Sequence, residues 1–162
     1  MRVDEFERLY EEHAQRLYGF LVYRTGDPAL AEDVLADAFE SAFRARGRFD
    51  RRRASARTWL YTIALNRLRD VQRRAAVEER SLAEVASRDV VSSGDTEAER
   101  LETRDALARA MRTLAVEERE AVALRFGADL TLKEIAEVVG EPMTTVEGRV
   151  YRALRKLRAQ LG

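Results

Sequence analysis

Cysteine is absent from the 162 residues. That removes disulfides, thiolate metal sites and cysteine nucleophiles, and it makes the composition compatible with a reducing compartment. Histidine occurs once, as His13, four residues after Leu9 and four before Leu17. This is a helical spacing that reads as packing or surface rather than as a catalyst or ligand. There is no glycine-rich phosphate loop and no carboxylate pair in an apolar surrounding, so an enzyme is a poor reading and no cofactor, metal or small-molecule substrate is expected. No run approaches the roughly 18 apolar residues of a membrane span, and the acidic start Asp4-Glu5-Phe6-Glu7 is unlike a signal peptide. A soluble, cytoplasmic protein is expected.

Net charge is missing too, with 29 basic and 29 acidic side chains. Spread evenly, that balance would argue against a nucleic-acid partner, but it is not even. Residues 1–43 hold 4 basic and 10 acidic side chains, 44–77 hold 11 and 2, 78–105 hold 4 and 9, 106–148 hold 5 and 8, and 149–162 hold 5 and none. Two basic islands in an acidic chain suggest two separate contacts with a polyanion, and acidic surfaces left for another partner.

The second island lies in the most legible stretch. Thr131 and Glu134 have the spacing of a capping box, so a short helix is predicted there, with Leu132, Ile135, Ala136 and Val139 on one face and Gly140 at its end. After a short turn, Val146, Val150, Ala153, Leu154, Leu157 and Leu161 form a sustained helical stripe. A short helix, a turn with glycine and a longer helix make a helix-turn-helix, whose second helix can enter a DNA major groove. Its polar face carries Arg149, Arg152, Arg155, Lys156 and Arg158, able to neutralise phosphates or to serve as an ordinary solvated face.

Upstream, Phe6, Leu9, Tyr10, Leu17, Phe20 and Leu21 predict a first helix over Asp4 to Tyr23. Asp27 caps a second with Pro28 in its first turn, an apolar stripe from Leu30 to Phe43, and an outer face of Glu32, Asp33, Asp37 and Glu40. Gly47 should close it, and Arg48 to Arg57, lacking a helical period, should be a loop. Thr58 should then cap a third helix in which Trp59, Leu60, Ile63, Ala64, Leu68 and Val71 alternate with Asn66, Arg67, Arg69, Arg73 and Arg74. Arginines suit phosphates, aromatic faces suit unstacked bases and an exposed amide suits a base edge, although Phe49, Trp59 and Tyr61 also fit as core. Glu78 to about Asp95 is small, polar and acidic, a linker. Helices over Glu97–Arg112, with Leu101, Ala108 and Met111 inward, and over Val116–Phe126, with Ala121, Val122, Leu124 and Phe126 inward, complete a four-helix C-terminal domain. The expected fold is all-α: two small helical bundles joined by a flexible linker, with domains at 1–77 and 97–162 and the linker at 78–96.

These segments resemble a bacterial RNA polymerase sigma factor of the sigma-70 family, in the two-domain, extracytoplasmic-function group. The matching stretches are Ala31-Glu32-Asp33-Val34 with Phe39; Trp59-Leu60 with Ile63-Ala64 and Asn66; Asp70 with Arg73-Arg74; Leu132-Lys133-Glu134-Ile135-Ala136; and Thr145-Val146 with Arg149 and Arg152-Ala153-Leu154. The resemblance implies a transcription initiation factor that directs RNA polymerase core to promoters. In it Glu32, Asp33, Asp37 and Glu40 would meet the polymerase clamp helices, with a second contact at the flap. Arg48, Phe49, Arg51, Arg53, Arg57, Trp59, Asn66, Arg67, Arg73 and Arg74 would open and hold the −10 element as single strand. Lys133, Thr144, Thr145, Glu147, Arg149, Arg152 and Lys156 would read the −35 element as duplex. The linker would run toward the RNA exit path, and an anti-sigma factor would hold the protein inactive, in the manner of a stress response.

Three residues depart from the pattern. Ala36 stands where the family has glutamine, Glu147 replaces a cation, and Gly148 costs about 1 kcal/mol of helix propensity relative to alanine. Two other readings compete. An ordinary helix-turn-helix repressor accounts for 106–162 but leaves the aromatic and basic segment 48–74 without a purpose. A sigma-like adaptor that never touches DNA has no need of two basic islands.

Overall fold

Gly26 and Asp27 set the first corner of a computed structural model that describes residues 1–81 and 98–162. Helix α1, Val3–Thr25, stops where Gly26 takes a left-handed φ of 68°, and its N–H bonds to the Val22 carbonyl. The Asp27 carboxylate then accepts from the backbone N–H groups of Ala29 and Leu30 and starts α2, Pro28–Ala45. A single 3₁₀ turn, Arg46–Arg48, follows α2. Gly47 lies inside that turn with no left-handed φ, so α2 ends by tightening and not by the glycine stop expected there.

Helix α3 spans Ala56–Ser81. It begins two residues before the predicted cap, because Ser55 takes that role: its Oγ accepts from the Thr58 N–H at 3.1 Å, and its carbonyl accepts from Trp59 N–H. Thr58 is instead buried within the first turn, and Ala56 and Arg57 belong to the helix and not to the loop. At its far end α3 continues through 78–81, four residues read from the sequence as linker. The rest of the predicted linker lies outside the described residues.

α1, α2 and α3 pack mutually as one bundle. Leu17, Phe20, Leu21, Leu60, Leu65 and Leu68 are fully buried in it, each worth roughly 1.5–3 kcal/mol relative to exposure. Phe43 departs from the predicted stripe: it is 39% exposed, with the Arg46 guanidinium 3.9 Å from its ring centroid.

The second bundle holds α4 (Ala98–Arg112), α5 (Val116–Val122), α6 (Leu132–Val139) and α7 (Met143–Leu161). On α4 the inward residues are Leu107, Ala110 and Met111, whereas Ala108 faces solvent. The side chain of Leu101 lies outside the described residues. α5 does not run to Phe126 as one α-helix; a π-helical turn, Ala123–Gly127, interrupts it. The wider turn adds a residue to the repeat and rotates Phe126 out of the core, leaving it 55% exposed where it was expected inward. Leu161, at the end of α7, is exposed as well. The described residues are all-α, without a strand.

The two bundles are not independent. The π turn lies on α1, α6 lies on α3, and one apolar cluster runs through both, joining Phe20, Leu60, Tyr61 and Leu65 to Leu124, Leu130, Ile135 and Val146.

Candidate nucleic-acid interface

The loop between α2 and α3 is held by Asp50. Its carboxylate accepts from the Arg52 N–H at 3.0 Å and from Arg52 Nε at 3.2 Å, and these bonds hold the carboxyl below its usual range. This local closure leaves Arg51, Arg52 and Arg53 exposed. Phe49 turns inward onto Trp59, with ring centroids 5.0 Å apart, so both aromatics are half-buried. Arg51 meets Glu5 of α1 at 2.9 Å.

The predicted −10 residues are thereby divided between two clefts. Phe49 and Arg51 border one, between α1 and the loop, whose wall includes His13. Arg48, Asn66 and Arg67 border the other, between α2 and α3. Asn66 and Arg74 are exposed, and Arg73 is exposed while paired to Asp70. Arg57 is not on this surface. Its Nη2 donates to the carbonyls of Ala128 at 2.9 Å and Asp129 at 2.7 Å in the second bundle.

In the helix-turn-helix the capping box is formed. Glu134 N–H donates to Thr131 Oγ1 at 3.1 Å, and Thr131 N–H donates to Glu134 Oε1 at 3.0 Å. Gly140, φ 70°, ends α6 in the left-handed region. Its N–H and that of Glu141 both bond to the Ala136 carbonyl. Helix α7 buries Val146, Ala153 and Leu157 and turns Thr144, Glu147, Tyr151, Arg152, Arg155, Lys156 and Arg158 outward. Lys133 on α6 is exposed and Thr145 half-buried.

The cations of α7 are not equivalent. Arg149 folds back to Glu141 at 3.5 Å and its side chain is only 19% exposed, while Lys156 is tied to Glu118 at 2.8 Å. Arg152, Arg155 and Arg158 have no ion pair among the described residues. The Arg152 guanidinium lies over Gly148: a Cβ at 148 would sit 3.1 Å from Arg152 Nη1. Glu147 is exposed and makes no hydrogen bond or ion pair among the described residues.

On α2, Glu32, Asp33, Ala36 and Asp37 are all exposed on the face away from the core, and Glu40 pairs with Arg44 one turn on.

Sequence reasoning missed a group of charged residues between the bundles. Arg24 of α1 and Glu120 of α5 are each 4% exposed and meet at 3.3 Å; the other Glu120 oxygen meets Arg69 of α3 at 3.1 Å. A signal was present, since Arg24 continues the stripe of Leu17, Phe20 and Leu21 at helical spacing, where a charge needs a buried partner.

The profile described as Sigma-70 region 2 matches residues 9–77, and the one described as Sigma-70, region 4 matches 104–157. The RNA polymerase sigma factor CarQ of Myxococcus xanthus is 34% identical over 98% of this chain and 90% of its own length. The ECF RNA polymerase sigma factor BldN of Streptomyces coelicolor is 31% identical over 95% of this chain, which spans only 59% of that relative. Among solved structures, CnrH in complex with the cytosolic domain of CnrY aligns with a TM-score of 0.74 at 27% identity, over 99% of this chain and 89% of that one. The sigma factor RpoE of Bartonella quintana, in complex with the anti-sigma factor NepR, aligns at 0.79 and 21% identity, over 98% of each chain, and supports the fold.

Proposed function

Since the chain belongs to the sigma-70 family of RNA polymerase sigma factors, in its extracytoplasmic-function group, we propose that it binds RNA polymerase core and carries it to promoters. The first bundle meets the −10 element as single strand and the second meets the −35 element as duplex. The observation that carries this reading is the presence, in one chain, of a helix-turn-helix with a cationic α7 and a second surface where Asn66, Arg48 and Arg67 share a cleft. A repressor needs only the first. Arginines on both surfaces neutralise phosphates, exposed Thr144 and Arg152 on α7 reach base edges, and Asn66 reaches an unpaired base.

Domains at 1–77 and 97–162 then carry separate duties, and two modest contacts gain through effective concentration once polymerase aligns them. Glu32, Asp33 and Asp37 form the polymerase-facing surface, with Glu40 at its edge. The chain acts by binding, not by catalysis. Its place is the cytoplasm, in keeping with described helices none of which is long and apolar enough to cross a membrane. An anti-sigma protein that covers the acidic face of α2 and the second bundle would keep it inactive, as the capture of the relative CnrH with a second protein suggests.

Co-elution with polymerase core tests the reading. Replacing Glu32, Asp33 and Asp37 together by Lys should abolish co-elution and leave helix content unchanged. Tight, sequence-specific duplex binding by the free protein, equal to that of its complex with core, would favour the repressor instead.

A further inference from the structure

We propose that the contact between the two bundles is a latch. The free chain holds itself closed through the Arg24–Glu120–Arg69 cluster and the Arg57 clasp, and engagement of polymerase and promoter opens it. The opening half of this proposal rests on the function proposed above; the closed form of the free chain does not.

Size supplies the first argument. A compact chain of 162 residues is roughly 40 Å across. Elements centred near −10 and −35 lie about 25 base pairs apart, or about 85 Å at 3.4 Å per base pair. Bundles that share one apolar cluster cannot grip both, so the contact must part.

The second argument is that the contact is made to part. Arg24 and Glu120 are buried together from different bundles, and Arg69 closes the cluster from α3. Buried charges give up hydration that their pairing only partly returns, so separating whole surfaces restores that hydration to every member, whereas removing one partner from the closed form strands a buried charge. Polar atoms at the same contact are already underserved: Arg24 Nε, Arg57 Nε and the Tyr61 hydroxyl are buried without a hydrogen-bond partner. Desolvation pushes the Tyr61 pKa up to about 12, and Arg57 and Glu134 are among the charges it feels. An interface meant to be permanent would have filled such positions with apolar groups.

Third, the clasp uses a residue assigned to DNA. Arg57 donates to two carbonyls at the end of the π turn, where Asp129 holds a left-handed φ of 57° that a non-glycine residue seldom adopts. A −10 phosphate competes for the same guanidinium, so single-strand capture and closure exclude each other at Arg57.

The chain has no cysteine, so Ala29→Cys and Ala159→Cys, both at exposed positions, provide sole sites for a dye pair. Energy transfer in the free protein should show one closed population, replaced by a low-transfer population on addition of core polymerase. Glu120→Gln, which strands Arg24, should raise the open fraction of free protein at least tenfold with helix content retained. The apolar triple variant Arg24→Met, Glu120→Leu and Arg69→Met should stay closed and bind polymerase at least tenfold more slowly. An open wild-type free chain, a Glu120→Gln variant as closed as wild type, or polymerase-bound protein with transfer unchanged would each overturn the latch. Absence of polymerase binding by every variant, wild type included, would instead overturn the functional reading, and the free-chain measurements would still decide whether the chain closes on itself.

Discussion

Gly148→Ala separates stability from recognition in a single substitution. Position 148 is the sixth residue of the 19-residue α7, well inside the helix, where alanine is favoured over glycine by about 1 kcal/mol. The added Cβ would lie 3.1 Å from Arg152 Nη1 and 3.8 Å from its Cζ, meeting only the far end of a flexible side chain. Moving that guanidinium aside costs little folding energy, so the melting temperature should rise by roughly 2–4 °C for a chain of this size whose bundles share a core. The same movement lifts Arg152 off the bare backbone on which it lies. A well-placed bidentate arginine discriminates a base by about 1–3 kcal/mol, so preference at one −35 position should weaken fivefold to a hundredfold. Selection from a randomised −35 duplex library, with core polymerase present, reads the preference, and circular dichroism reads the melt. A higher melting temperature with wild-type preference would refute the claim that Arg152 reads from its position over Gly148; a lower one would refute the helix argument.

Four further outcomes are expected. Asn66→Ala, at an exposed position, should leave core binding and melting near wild type and reduce promoter opening, visible as lost permanganate reactivity near the start site; unchanged reactivity would remove Asn66 from the interface. Because Glu147 has no partner among the described residues, Glu147→Gln should relax preference for one cytosine of the −35 element, and Glu147→Lys should abolish it and raise salt-sensitive, non-specific binding; an unchanged consensus from both would show that Glu147 reads no base. Thr131→Ala removes the side-chain acceptor of the α6 capping box and should cost about 1 kcal/mol, lowering the melting temperature by roughly 2–4 °C. Desolvation holds the His13 pKa below its ordinary 6.5, with nearby Arg57 and Arg16 lowering it and Glu12 opposing; as pH falls below 6.5 the unfolded chain binds the proton first, so stability should fall with acid, and His13→Gln should flatten that part of the profile.

Much of the fold was legible because its signals are local. Asp27 with Pro28, Thr131 with Glu134, and Gly140 each act on backbone within four residues, and each does in the structure what its spacing predicts. The misreadings have physical causes. Ser55 outcompeted Thr58 as cap because both hydroxyls sit at workable offsets, and only the loop held by Asp50 decides between them. The π turn at 123–127 changed the period that carried Phe126 inward, and periodicity has no term for an inserted residue. What sequence alone could not supply is pairing across distance. Arg24 finds Glu120 across 96 positions and Lys156 finds Glu118 across 38. Such partners explain why the cations of α7 differ in availability and why Arg57 is engaged away from the rest of its group. The acidic face of α2, by contrast, was readable from spacing, because exposure follows from the opposite apolar stripe.

Transcription from a promoter library, using core polymerase with and without this protein, tests the central claim most directly. The account predicts transcripts that appear only with the protein and arise from promoters sharing both a −10 and a −35 sequence, with the −35 preference altered by Gly148→Ala and the yield lowered by Asn66→Ala. No protein-dependent transcript from any promoter, under conditions where core is active with another sigma factor, would contradict it.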